Sequence, residues 1–311
     1  MSISLDDLLA VLAAIVLAAV GGEAFLKSIL GAAIHLRVPK RVVAITLAAF
    51  ATSSPELTVS SVAALAGEPQ IGLGDALGSN VVNIALIFGL ALLYGAVPTR
   101  CDDFGRDFYL ALAVPVLTLV FVLDGQLARV EALLLVAAFA AWLAVTLRQA
   151  LRERDAPAEL DARELSAGRS LLLGALGLAA LIAAGRLFVG GATGIASAFA
   201  VDTYVVGVVL VAIGTSLPEL VTVLLSRLRG HDDVGVGTLI GSNLFNGLAI
   251  VGVAGTLHPI TVPPAEVALT LACGIAALLL LRPDSRGLIG QGRGALLLLL
   301  YAGFVWLTLA A

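Results

Sequence analysis

Apolar runs dominate the chain, separated by short stretches rich in charge, glycine or proline. A run of about 18 or more such residues can cross a bilayer as a helix. The pattern predicts ten spans, at 6–34, 42–66, 71–94, 107–123, 129–148, 170–199, 204–227, 234–257, 265–281 and 292–310. One clearly polar stretch, 149–169, carries charges of both signs and reads as a solvated linker. It separates a first half, 1–148, from a second, 170–311, each with five spans. The first twenty residues carry Asp6 and Asp7 where a secretory leader would carry Lys or Arg, and no A-x-A site follows, so they read as a retained first helix.

The halves resemble each other. Shifted by 163 residues, LAAFATSSPEL (47–57) lies on LVAIGTSLPEL (210–220), and GLGDALGSNVVNIALIFG (72–89) lies on GVGTLIGSNLFNGLAIVG (235–252). Over 47–89, 17 of 43 positions match. Matching Leu, Ala and Gly would be expected of any two apolar helices; matching Thr, Ser, Pro, Glu and Asn would not. Five spans per half require the second half to enter the membrane upside down. With the N-terminus outside, cytoplasmic loops hold 15 of the 18 Lys and Arg residues, as the positive-inside rule asks. The basic loop near 37–41 has an equivalent near 200–204 with neither Lys nor Arg. The expected fold is therefore an all-α integral membrane protein, with ten helices in two inverted five-helix repeats and helices broken at the midplane.

Polar chemistry sits inside the repeats. Glu56 and Glu219 fall in mid-span, where a carboxylate costs about 2.5–3.5 kcal/mol on insertion scales, a cost that a bound cation would offset. Thr52 and Ser53 are four and three residues before Glu56, so one helix face can hold all three; Thr215, Ser216 and Glu219 repeat the arrangement. Pro55 and Pro218 cannot donate to the carbonyls of Ala51 and Gly214, which predicts helix breaks offering free oxygens. In the second block, Ser79 with Asn83 and Ser242 with Asn246 each put a hydroxyl and an amide on one face. Gly78 and Gly241 beside them are expected to permit close helix approach. The inventory is all hard oxygen, which suits Ca²⁺ and Na⁺, and two carboxylates would neutralise one Ca²⁺.

Composition narrows the class further. The chain is 60% hydrophobic and 13% charged, about half the charge of an average soluble domain. Cys101 and Cys273 are far apart and read as free thiols, and His35, His231 and His258 are scattered. No basic patch interleaved with aromatics points to nucleic acid, and no GxxxxGK[ST], HExxH or GxSxG points to ATP or to an enzyme. Glu23 and Lys27, four apart in the first span, read as an ion pair, with Arg186 at the position equivalent to Glu23.

The paired TS-x-PEL and GSN blocks resemble the two alpha-repeats of the cation/Ca²⁺ exchanger superfamily, in particular its prokaryotic sodium/calcium exchanger branch. The resemblance covers almost the whole chain. It implies ions held mid-membrane between the second, third, seventh and eighth helices, by Thr52, Ser53, Glu56, Ser79 and Asn83 together with Thr215, Ser216, Glu219, Ser242 and Asn246. It adds the backbone carbonyls of Ala49 and Ala212, and a sliding gate made of the first and sixth helices. Ca²⁺ and Na⁺ are then transported rather than resident, with no cofactor and no protein partner expected, in a cell (inner) membrane with both termini outside. The chain departs from the family pattern at Ala51, where Gly is usual, at Asp75, where Asn is usual, and at Asn246, where many members carry Asp. A Ca²⁺/H⁺ exchanger on the same fold is the alternative, and a passive cation channel a more distant one.

Overall fold

The computed structural model describes residues 4–67, 69–98, 101–152, 166–198, 212–262, 264–284 and 287–310. Helix α1, Leu5–Leu36, starts where Ser4 accepts a hydrogen bond from the Asp6 N–H and ends at Arg37, in the left-handed region at φ 55°. Helices α2 (Lys40–Thr52) and α3 (Ser54–Leu65) are two arms of one bent rod, 44° apart. Then follow α4 (Pro69–Leu93), β1 (Val97–Pro98), α5 (Cys101–Phe121), β2 (Gln126–Leu127) and α6 (Arg129–Arg152). The second half contributes α7 (Ala167–Ala198), α8 (Ala212–Thr215), α9 (Leu217–Leu228) and α10 (Asp232–Leu257). It closes with β3 (Ile260–Thr261), α11 (Pro264–Leu280), β4 (Leu288–Ile289) and α12 (Gln291–Ala310).

Five of these helices, α1, α4, α6, α7 and α10, are long and apolar enough to cross a membrane, and α2 with α3 makes a sixth crossing if the bent pair is one span. The other expected spans do not reach that length and apolarity within the described residues. The start of the expected span 204–227 lies outside them, as does 153–165 of the linker. The linker is also shorter than expected, because α6 continues to Arg152. There Arg106 bonds Thr146 and Gln149, fastening α5 to α6.

Helices α4 and α10 form the centre and are mostly buried, whereas α1, α6 and α7 turn most of their apolar surface outward. Leu5, Leu12, Ile15, Val16 and Val20 of α1, and Leu171, Leu172 and Leu176 of α7, are each more than half exposed. An apolar rind of this extent suits lipid rather than water. The main core gathers side chains of α4, α5, α6, α10, α11 and α12. A separate cluster, with Phe25, Leu26, Ile29, Ala48 and Leu181, joins α1 and α7 to α2. Helices α1 and α7 pack along their lengths, and glycine makes this possible: a Cβ at Gly21 would lie 2.8 Å from that of Ala180, and one at Gly177 2.7 Å from the Phe25 nitrogen.

Two short antiparallel ribbons tie the halves together. Val97 pairs with Ile289 and Pro98 with Leu288; Leu127 pairs with Ile260 and Gln126 with Thr261. Each ribbon thus takes one strand from either half.

Candidate functional site

The two proline-bearing segments break alike. Ser53, between α2 and α3, has φ −86° and ψ 10°; Ser216, between α8 and α9, has φ −83° and ψ 11°. Helix α3 then starts with Pro55 and Glu56 in its first turn, and α9 with Pro218 and Glu219. Proline suits a helix's first turn because its missing N–H has no partner there anyway. The carbonyl expected to be freed at Ala51 is occupied: the Ser54 hydroxyl donates to it at 2.7 Å. The Gly214 carbonyl lies against Gly185 of α7.

Each break hands its serine to the carboxylate of the other half. The Ser53 hydroxyl donates to Glu219 Oε1 at 3.0 Å, and the Ser216 hydroxyl to Glu56 Oε1 at 3.5 Å. Ser242 of α10 adds a second donor to Glu219 Oε1, at 3.1 Å. The Thr52 hydroxyl is 3.1 Å from the Ala48 carbonyl and 3.3 Å from that of Ala49, which also accepts the Ser53 N–H at 3.0 Å. Thr52, Ser53, Glu56, Ser79, Asn83, Ser216, Glu219, Ser242 and Asn246 all have zero exposure. Thr215 is less buried and its hydroxyl meets the Asp75 carboxylate. Ala49 is buried beside the group; Ala212 opens α8, and its side chain lies outside the described residues.

Helices α4 and α10 both widen into a π-helical turn, at Val82–Phe88 and Phe245–Ile250, which begin at equivalent positions. Such turns often mark functional sites, because the extra residue re-aims side chains. Here they carry Asn83 and Asn246. Directly before them, Asn80 and Asn243 clasp each other: each side-chain amide donates to the other's backbone carbonyl at 3.3 Å, 163 residues apart. Asn83 donates to Asn243 Oδ1 at 3.2 Å. Close approach at this crossing is one-sided. A Cβ on Gly241 would collide with the Ile45 carbonyl and the Ala49 side chain, but one on Gly78 would meet nothing within 4 Å. The expected packing role therefore holds for Gly241 and fails for Gly78.

Several buried oxygens at this centre have no hydrogen-bond partner: Oε2 of Glu56, Oε2 of Glu219, Oγ of Ser79, and Oδ1 of Asn83 and of Asn246. Unpaired buried polar atoms are costly. These are oxygens from both halves, two of them on carboxylates, and a hard cation is the ligand that would pair them. Among the described residues no three His, Cys, Asp or Glu side chains are placed to hold one metal ion together, so hydroxyls and amides must make up the rest of any such ligand set.

The clasp of Asn80 and Asn243 was not foreseen, although both residues stand in the GSN triplets. The pair Glu23–Lys27 forms, at 3.4 Å, and Arg229 joins it, its Nη2 lying 2.9 Å from Glu23 Oε2. Arg186 is exposed on α7. Cys273 is a buried free thiol, and the side chain of Cys101 lies outside the described residues.

The model of one family, "Sodium/calcium exchanger protein", matches the chain twice, over 7–148 and 169–310. A putative antiporter, CaxA, of Alkalimonas amylolytica is 31% identical over 89% of this chain and 90% of its own length. The sodium/calcium exchanger MaX1 of Methanosarcina acetivorans is 29% identical over 92% of this chain and 93% of its own. Among solved structures, the sodium-calcium exchanger NCX_Mj, in crystals soaked with Na⁺ and Sr²⁺, superposes with a TM-score of 0.81 at 27% identity, covering 96% of both chains.

Proposed function

The chain belongs to the sodium/calcium exchanger protein family, a multi-pass cation/Ca²⁺ antiporter, and from that premise we propose that it exchanges Ca²⁺ for Na⁺ by alternating access. The observation that carries this reading is the cross-bonded pair Glu56 and Glu219, fully buried, each with one oxygen unpaired. Two carboxylates neutralise one Ca²⁺, and the hydroxyls and amides around them supply the further oxygens that Ca²⁺ takes in sixes to eights. Thr52, Ser53, Ser79, Asn83, Thr215, Ser216, Ser242 and Asn246, with the Ala49 and Ala212 carbonyls, are the proposed remaining ligands.

Obligatory exchange follows from electrostatics. Two unneutralised carboxylates in a buried site are penalised heavily, so the protein reorients only when Ca²⁺ or Na⁺ balances them. The complete burial of the nine central residues supports an occluded carrier over a continuously open pore. The proposed topology is ten crossings in two inverted halves, with the breaks at Ser53 and Ser216 at the midplane, both termini outside and the linker cytoplasmic. The charge count and the 163-residue repeat support it.

The test is Ca²⁺ uptake into proteoliposomes loaded with Na⁺, set against Na⁺-free vesicles under an imposed pH gradient. Uptake that needs the outward Na⁺ gradient is expected. Uptake that follows the pH gradient instead would replace Na⁺ by H⁺ as the coupling ion, and uptake without any counter-ion gradient would sink the antiporter reading.

A further inference from the structure

A third carboxylate adjoins the central pair. Asp75 lies one helical turn before Ser79 and two before Asn83 on α4, so the three side chains follow one another along a single face. Across from it stands α8, which packs on α4 and whose Thr215 hydroxyl bonds the Asp75 carboxylate. That bond leaves Asp75 Oδ2 buried without a partner, and Ser79 Oγ, the next polar atom along the face, is also buried and unpaired. The oxygens thus run on from the central site: Ser216, next to Thr215 in the chain, bonds Glu56.

Water could pair with such an oxygen, but it does not balance charge. No Lys or Arg forms an ion pair with Asp75 among the described residues, and its neighbours Glu56 and Glu219 carry the same sign. One carboxylate with two hydroxyls is too small a set for Ca²⁺, which takes six to eight oxygens. It matches a singly charged hard cation.

We propose that Asp75, with the hydroxyls of Thr215 and Ser79, forms an accessory Na⁺ subsite contiguous with the central one. This rests on the antiporter reading and adds one Na⁺ to the ions held by Glu56 and Glu219. Asp75 then sets how many Na⁺ ions the protein engages and how tightly, while the charge of Ca²⁺ is balanced by the two glutamates.

The experiment is the Na⁺ dependence of Ca²⁺ release from proteoliposomes containing the full-length protein, for wild type, Asp75→Asn and Asp75→Glu. Asp75→Asn is expected to raise the half-saturating Na⁺ concentration by about tenfold and to lower the Hill coefficient by about one. The half-saturating Ca²⁺ concentration should stay within about twofold, and Asp75→Glu should restore the Na⁺ response. An unchanged Na⁺ curve in Asp75→Asn overturns the subsite. So does a parallel loss of Ca²⁺ affinity, which would make Asp75 part of the central charge balance. Should wild type show no Na⁺-driven flux, the coupling reading fails separately. The subsite is then judged by thermal unfolding of detergent-solubilised protein with NaCl against choline chloride: stabilisation by Na⁺ that Asp75→Asn loses and Asp75→Glu keeps supports it, and equal stabilisation in all three rejects it.

Discussion

Glu219 receives hydroxyl protons from Ser53 at 3.0 Å and Ser242 at 3.1 Å, whereas its equivalent in the first half, Glu56, receives one from Ser216 at 3.5 Å. The equivalent of Ser242 is Ser79, whose hydroxyl has no partner. The amides divide in the same way. Asn83 donates to Asn243 Oδ1, but the corresponding atoms of the opposite pairing, Asn246 Nδ2 and Asn80 Oδ1, are both buried and unpaired. Near-identical groups at one offset are thus held unequally, and the idle atoms of one pairing are the equivalents of the engaged atoms of the other. The centre thus holds one of the two pairings that its repeat makes available.

The glutamates test the comparison hardest. A bound ion needs both charges, so Glu56→Gln and Glu219→Gln should each lower Ca²⁺ transport by about two to three orders of magnitude despite their unequal bonding. A variant that transports normally would remove its glutamate from the centre. The serines should separate in Ca²⁺-free buffer. Ser242→Ala loses a hydrogen bond to a carboxylate and should lower stability by about 1.5–3 kcal/mol, while Ser79→Ala removes a buried hydroxyl that has no partner and should leave stability unchanged or raise it by up to about 1–3 kcal/mol. Thermal unfolding in detergent compares them, and equal losses would erase the asymmetry. A smaller gap is expected between Asn243→Ala and Asn80→Ala. The first also releases Asn83, so it should lose about 1 kcal/mol more in the same assay.

The smallest effect concerns a contact between the halves. His231, between α9 and α10, lies 3.5 Å from the Lys40 ammonium. Burial lowers its pKa below the usual 6.5, and Lys40 lowers it further against the opposing pull of Asp233 and Asp232. The folded protein therefore binds this proton less readily than the unfolded chain. The stability is present above about pH 6.5 and declines as pH falls below it. His231→Gln should flatten the drop in melting temperature between about pH 7.5 and 5.5, and a drop of wild-type size would show that other groups cause it.

What the sequence made legible was what period and offset encode. Pro55 and Pro218 pointed to the breaks, and the spacing of Thr52, Ser53 and Glu56, repeated 163 residues on, to groups that the structure brings together. Contacts made by short side chains with the backbone were not legible. Ser54 caps the Ala51 carbonyl that proline releases, and no spacing rule says whether a serine beside a break turns inward or back onto its own helix. The different fates of Gly78 and Gly241 depend on which neighbour crosses there, which is tertiary information. Arg229 reaches Glu23 from 206 residues away, and a local pair such as Glu23–Lys27 gives no hint of a third member.

The widened turns Val82–Phe88 and Phe245–Ile250 have a bearing on length. Each accommodates a residue more than an α-helical path of the same rise would. Excising a single residue from either would return the rod to regular winding and leave everything beyond the cut on nearly its present face, whereas the same excision from a regular turn would swing it by about 100° around the axis. Only the residues within the widened turn, Asn83 or Asn246 among them, would lose their present aim. A deletion of one codon there should therefore spare the packing of the rod and cost the site its asparagine.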